Sequence, residues 1–510
     1  MGIKVSLVVL LSSVYAIAET GTVQSVSDPN DRYFTAVKTC LDNMIKYGKD
    51  DYGPVQSPIF VSILDVDSRC CPRTPLALDE NWRVVRRERR NPAGANLLLD
   101  QSLLRTMFAV SQITDNDVYA KAAECYIDYY LKNLIDKKGF IWWGWHRHYD
   151  VYEDIMTGHE ANWHEVHANI EILWPKLWQI NADVVKSEIE ATWQWQVFDK
   201  KKGEINRHDD GCRGCDFTLT GGAIMESFAF LYTKTNNPDW LNRAKLVAGY
   251  YWNLRDPNTN LVAERPNAGR DRFDGGSFVT NTTGPYCHAL LKTYLLTQDE
   301  SFKEQAVAYL TAYYKYGFDE KTGKFWGALK LDGKPIPGPR VIGGYEESEP
   351  RGYLDLWEPY VLGYQYPLET AQSYALAYRI TKNPQMLAAA QHFADWIAKT
   401  PTNANETEKV WYGEYKTLFG NQGTYAEKYG RTISFFIDLY TLTNQQKYLQ
   451  LAQKFADEAV EKLYVNGFFK GHPAKPYYEA VDGVGNLLYA LVELDGALKG
   501  KLESIDTDNW

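Results

Sequence analysis

A short phrase recurs along this chain and limits what it can fold into. It reads Thr114-Asp115-Asn116-Asp117, Thr235-Asn236-Asn237-Pro238, Thr297-Gln298-Asp299-Glu300, Thr381-Lys382-Asn383-Pro384 and Thr443-Asn444-Gln445-Gln446. Each copy follows an apolar helical pattern and precedes another with aromatic and alanine residues at helical spacing, such as Trp240, Ala244 and Ala248. Thr, Asn and Asp before a helix satisfy its free amides, and proline suits the first turn. The copies lie 121, 62, 84 and 62 residues apart. Helical hairpins of about 60 residues, stacked side by side, explain the series if one copy in the first gap is poorly marked. That copy is expected near Asn181. Adding a first pair and the last helix, Val484 to Leu498, gives six or seven hairpins. The expected fold is all-α: an (α/α)6 or (α/α)7 toroid with small β excursions, for instance near Gly323 to Pro339.

Residues 1–18 read as a cleaved export leader. Lys4 is basic, Val5 to Val14 is apolar, and Ala16-Ile17-Ala18 is a small-x-small cleavage site. Residues 19–510 then form one catalytic domain of a secreted, extracellular protein, since no later stretch is long and apolar enough to span a membrane. Seven cysteines leave at least one unpaired. Cys212 and Cys215 are expected to form a disulfide, and Cys40, Cys125 and Cys287 to be buried thiols. Asn281 and Asn405 begin glycosylation sequons.

The net charge of −10 argues against nucleic acid as a partner. Sixteen tryptophans and 36 tyrosines fit a glycan groove, because sugars stack their C–H faces on rings, although toroids also use such rings as core filler. Three polar-aromatic segments stand out: Trp142 to Tyr149, Asn162 to His167, and Glu204 to Asp210. Six of the nine histidines fall between residues 146 and 208, the raw material of a transition-metal site. A zinc-protease reading fails, since His164 and His167 are i, i+3 and no H-E-x-x-H occurs. Downstream, Arg265, Arg270 and Arg272 crowd one loop. Arg270 and Arg272 are candidates to clamp a carboxylate, or else pair internally with Asp271 and Asp274.

Taken together, Tyr47 to Gly53, Ser57 to Val61, Trp143-Gly144-Trp145-His146, Asn162-Trp163-His164-Glu165 and Asn206-Arg207-His208 resemble the family 2 polysaccharide lyases, pectate lyases with an (α/α)7 toroid. The resemblance covers roughly residues 38 to 275, and beyond them only the repeat architecture agrees. It implies a divalent metal held by His146, Glu165 and His208, with manganese the first expectation, and Arg207 as catalytic base. Trp143, Trp145, Tyr149, Arg270 and Arg272 are the expected substrate contacts. Trp145 stands where a smaller residue is expected.

The implied chemistry is physically coherent. β-Elimination removes the C5 proton beside a carboxylate, and a cation on that carboxylate stabilises the developing charge. Arginine is an unusual base because its free pKa exceeds about 12. Nearby positive charge disfavours its charged form; Tyr149 or His148 is the conventional alternative. Pectate is the first substrate expected, the partner being an acidic polysaccharide or oligosaccharide and neither nucleic acid nor a membrane. Two rival functions remain: a glycoside hydrolase using carboxylates among Asp209, Asp210, Glu346 and Glu349, and a catalytically silent glycan-binding protein.

Overall fold

The computed structural model describes residues 31–73, 93–158, 163–165, 170–267, 276–338, 350–357, 365–403 and 422–502. The expected leader, Asn405, Arg270, Arg272, Glu346 and Glu349 lie outside them. Fourteen α-helices occur among the described residues; twelve pair as six hairpins, and the first and last pack on each other as a seventh pair. In chain order, α1 (Arg32–Tyr47) is followed by α2 (Leu97–Thr114) with α3 (Val118–Asn133), then α4 (Trp174–Ile180) with α5 (Ala182–Ala191). Next come α6 (Thr218–Thr235) with α7 (Pro238–Leu254), and α8 (Cys287–Thr297) with α9 (Glu300–Gly317). The last are α10 (Pro367–Thr381) with α11 (Pro384–Lys399), α12 (Ala426–Thr443) with α13 (Gln446–Leu463), and α14 (Val484–Leu498). The α14 helix packs on α1, α2 and α12, which closes the ring and makes an α/α toroid of seven helix pairs. The inner helices α2, α6, α8, α10, α12 and α14 bury most of their circumference; α14 alone buries Val484, Leu487, Leu488, Leu491, Val492 and Leu494. Each such side chain removed from water contributes about 1.5–3 kcal/mol.

The recurring threonine phrase has one structural cause. Each threonine ends an inner helix and hydrogen-bonds four residues back: Thr235 Oγ1 to the Leu231 carbonyl at 2.8 Å, Thr381 to Ala377 at 2.7 Å, Thr443 to Leu439 at 2.6 Å. The next residue, Asp115, Asn236, Gln298, Lys382 or Asn444, is left-handed, with φ between 50° and 57°. The chain reverses there, and Asn237, Asp299 and Asn383 cap the outer helix that follows by accepting from a backbone amide of its first turn. Asn181 does the same for α5, where the poorly marked copy is expected.

At the opposite end, outer helices run into short antiparallel strand pairs before the next inner helix begins. Val197–Asp199 pairs with Glu204–Ile205, Phe318–Asp319 with Lys324–Phe325, and Tyr464–Val465 with Phe468–Phe469. These long connections hold the site.

Three expectations need correction. All seven cysteines are free thiols, and Cys125 is exposed rather than buried. Cys212 and Cys215 are not bridged; the loop is held instead by Asn206 Nδ2 donating to the Cys212 carbonyl at 2.8 Å and by the Cys212 amide donating to Asp210 at 2.9 Å. Asn281 is fully buried with its side-chain amide on Glu264, so in the folded chain it offers no surface for a glycan.

Candidate metal centre

Three loops from two neighbouring connections supply the site. His146 stands at the entry to a strand pair, Arg147–Asp150 against Ile155–Gly158. Asn96, which caps α2, fixes that entry by donating to the carbonyls of Gly144 at 2.7 Å and Arg147 at 3.0 Å. Gly144 has φ +118°, and a Cβ there would meet the Glu165 carbonyl oxygen at 2.7 Å. Glycine thus lets the first loop lie directly on the second, and the Trp145 amide donates to Glu165 O at 3.1 Å. The third loop follows Glu204–Ile205, where the His208 amide donates to Asn206 Oδ1 at 3.0 Å.

These loops bring His146, Glu165 and His208 together, one donor atom from each lying within 4.8 Å of the others. Glu165 Oε2 is 2.7 Å from His146 Nε2 and 3.5 Å from His208 Nε2. Ligands about 2.1 Å from one ion stand roughly 3.0–3.4 Å apart, a range that the 2.7 and 3.5 Å separations bracket. Two imidazoles and one carboxylate suit a transition metal better than calcium. Arg207 lies against the group, its Nε donating to His208 Nε2 at 3.2 Å and standing 3.5 Å from Glu165 Oε1. Its guanidinium also lies 4.7 Å from the Phe217 ring centre.

Trp163 belongs to the site as well. Its ring stacks on His208 at 3.9 Å and meets His146 edge-on at 6.2 Å. Its neighbour His164 turns the other way, packing on Phe140 at 3.9 Å and pairing with Glu188 at 2.6 Å. Trp163 stands in the very phrase that contains Glu165, but a tryptophan beside a candidate ligand carries no sequence mark that separates stacking from filler.

The three expected aromatic contacts among the described residues are buried. Trp143 is fully buried, its indole N–H donating to Glu188 at 2.9 Å, so it offers no ring face to a sugar. Trp145 and Tyr149 are buried too, and the Tyr149 hydroxyl donates to Asp154 at 3.0 Å. Burial, together with Asp154, pushes the Tyr149 hydroxyl well above its ordinary range, which disfavours it as a base. Burial lowers His148 to about 4. The Asp209–Asp210 pair is turned to structural use. Asp209 is buried and paired with Lys138, while Asp210 accepts from Asn206 at 2.9 Å. Burial would raise the Asp209 carboxyl, but the Lys138 hydrogen bond and the charges of His164, Lys138 and Arg147 bring it below its ordinary value.

The sequence pattern of one family, described as periplasmic pectate lyase, matches residues 79–219 and 281–508. This agreement extends well past residue 275, into the half where only repeat architecture had been expected to agree. The pectate disaccharide-lyase of Dickeya dadantii (strain 3937) is 23% identical over 189 residues, which is 36% of this chain and 32% of that protein. The match therefore spans about a third of the curated relative. Among solved structures, a family 76 glycoside hydrolase from a bovine Bacteroides thetaiotaomicron strain is 13% identical at a TM-score of 0.47, over 91% of this chain and 77% of that one. A D-mannose isomerase is 14% identical at a TM-score of 0.47, over 92% of this chain and 99% of that one.

Proposed function

The chain belongs to the periplasmic pectate lyase family, and from that premise we propose that it cleaves a uronic-acid polysaccharide, pectate first, by metal-assisted β-elimination. The observation that carries this reading is the convergence of His146, Glu165 and His208, with Arg207 in contact with two of them. His146, Glu165 and His208 hold the cation, for which manganese is the first candidate. Bound there, a divalent ion supplies Lewis-acid neutralisation of the uronate carboxylate. Arg207 then takes the C5 proton on a guanidine nitrogen. The C4–O4 bond breaks as the C4–C5 double bond forms; the departing oxygen takes a proton from solvent water to become the new hydroxyl, and Arg207 returns the C5 proton to solvent. Trp163 keeps the His208 ring in plane, and the buried aromatics beneath the loops exclude water from that side. Arg270 and Arg272 remain proposed carboxylate contacts.

The same reading makes this an exported protein of one catalytic unit, residues 19–510, following a leader at 1–18. No helix among the described residues is long and apolar enough to cross a membrane. The test is a panel of acidic polysaccharides followed by absorbance and product mass. Elimination creates a conjugated unsaturated uronate, whereas hydrolysis adds water and no chromophore. Full activity after exhaustive chelation overturns the metal-assisted mechanism.

A further inference from the structure

Each of the three proposed donors has a chain neighbour that turns away from the cation position into the protein. Arg147 follows His146, His164 precedes Glu165, and Asp209 follows His208. The three are buried, and they meet. Asp209 Oδ1 accepts the His164 backbone N–H at 3.0 Å. Its Oδ2 is 3.6 Å from Arg147 Nη2 and 2.9 Å from Lys138 Nζ, and Lys138 also donates to the Asp209 carbonyl at 2.6 Å. Arg147 is held from its other side by Asp136 at 2.8 Å.

We propose that Asp209 is the positioning residue of the metal centre, one carboxylate that locks the three donor loops in register. The proposal rests on the reading of His146, Glu165 and His208 as ligands and adds a residue that touches none of the reacting atoms. No helix or strand is shared by the three donors, so their convergence depends on contacts between loops. Gln196 joins two of them, donating to the carbonyls of His164 at 3.3 Å and Arg207 at 2.6 Å, but does not reach the His146 loop. Asp209 reaches all three. Groups behind the ligands set how well a site is preformed, and their loss typically costs 10–100-fold in metal affinity. Without the Asp209 carboxylate, the His164 amide loses its acceptor and the cations Lys138 and Arg147 lose their shared anion, so the third loop keeps only the Gln196 bridge to the second and loses its side-chain tie to the first.

The test measures Mn(II) binding to the purified full-length protein without substrate, by calorimetry and by the spin resonance of bound Mn(II). Asp209→Ala is expected to weaken binding at least about tenfold and to broaden the bound-ion spectrum. Asp209→Asn keeps an acceptor for His164 and loses the charge, so its affinity falls between the two. Asp136→Asn removes the charge of a second carboxylate that pairs with Arg147 and reports how far affinity follows lost stability alone. Asp209→Ala binding within about twofold of wild type overturns the proposal. So does a loss no greater than that of Asp136→Asn at matched melting temperature. If Asp209→Ala does not fold, Asp209→Asn decides, and an unchanged affinity and spectrum there overturn it. If wild-type protein binds no Mn(II), or His146→Ala binds as wild type does, the ligand assignment itself fails; Asp209 variants that alone bind normally defeat only the positioning role.

Discussion

The indole of Trp163 lies flat on the imidazole of His208, with 3.9 Å between ring centres and 22° between planes. Stacking of this kind contributes about 0.5–1.5 kcal/mol beyond the area it buries. Here it also fixes the plane in which His208 Nε2 faces Glu165. Trp163→Ala is expected to lower metal affinity about three- to tenfold, and Trp163→Phe to keep most of it. Calorimetric titration with Mn(II) measures both. Equal affinity in Trp163→Ala and wild type rejects a role in orienting the histidine.

Gly144 is a second point at which backbone shape sets ligand position. Its φ of +118° and the 2.7 Å that would separate a Cβ from the Glu165 carbonyl oxygen leave no room for alanine. Gly144→Ala must push the first loop off the second, separating His146 from Glu165. Metal affinity is expected to fall about tenfold or more, with a smaller relative effect on far-ultraviolet dichroism, since no helix is touched. A variant that folds and binds metal normally shows that the close approach is dispensable.

Much of this architecture is legible in the chain because one end of the toroid repeats chemically. A threonine hydroxyl bonded to its own helix, a left-handed residue and an Asn or Asp cap recur at Thr235, Thr297 and Thr381, so local chemistry marks each hairpin. The other end repeats more quietly. Asp136, Asp199, Asp256 and Asp319 each accept backbone amides from the turn that follows an outer helix. Gly139, Gly203 and Gly323 then close three of those turns at positive φ. That pattern is present in the sequence, but its variable spacing hides it. The histidine cluster is visible as composition, yet nothing local separates His164, which packs inward, from His146 and His208. The direction each histidine faces is decided by partners distant in the chain, Glu188 for His164 and Glu165 for the other two. The different settings of Trp143 and Trp163 are hidden for the same reason, because the two look alike until Glu188 and His208 are placed.

The buried carboxyl of Asp100 predicts a pH dependence of stability. Burial raises it to about 7, against the opposing hydrogen bonds of Tyr126 and Ser62. In the unfolded chain it titrates near about 3.9. The native state therefore binds the proton more tightly. Its stabilising contribution is complete below about pH 4 and is lost as pH rises through about 7. Asp100→Asn cannot lose it. The melting temperature of the variant should gain on wild type by a few degrees between about pH 4.5 and pH 7.5. A difference that stays constant across that range shows that Asp100 does not titrate there.

Arg207 and His208 are adjacent in the chain but are assigned different work, so their variants should fail differently. His208→Ala removes a donor nitrogen; metal affinity should fall, and excess metal should restore part of the rate. Arg207→Ala leaves His146, Glu165 and His208 in place, so metal content should persist while turnover drops about 100-fold or more, the scale of a lost general base. Arg207→Lys separates a base from a structural cation. Lysine keeps a charge but titrates lower and lacks the planar fork. A residue that takes the proton should then retain a fraction of the rate with a shifted pH profile. An arginine that only braces Glu165 and Phe217 should instead show lower stability and an unchanged profile. Metal stoichiometry, turnover and pH dependence are measured on all three variants with one acidic polysaccharide. Near-normal turnover in Arg207→Ala removes it as the base. The search then passes to His148, because the Tyr149 hydroxyl is held protonated beside Asp154.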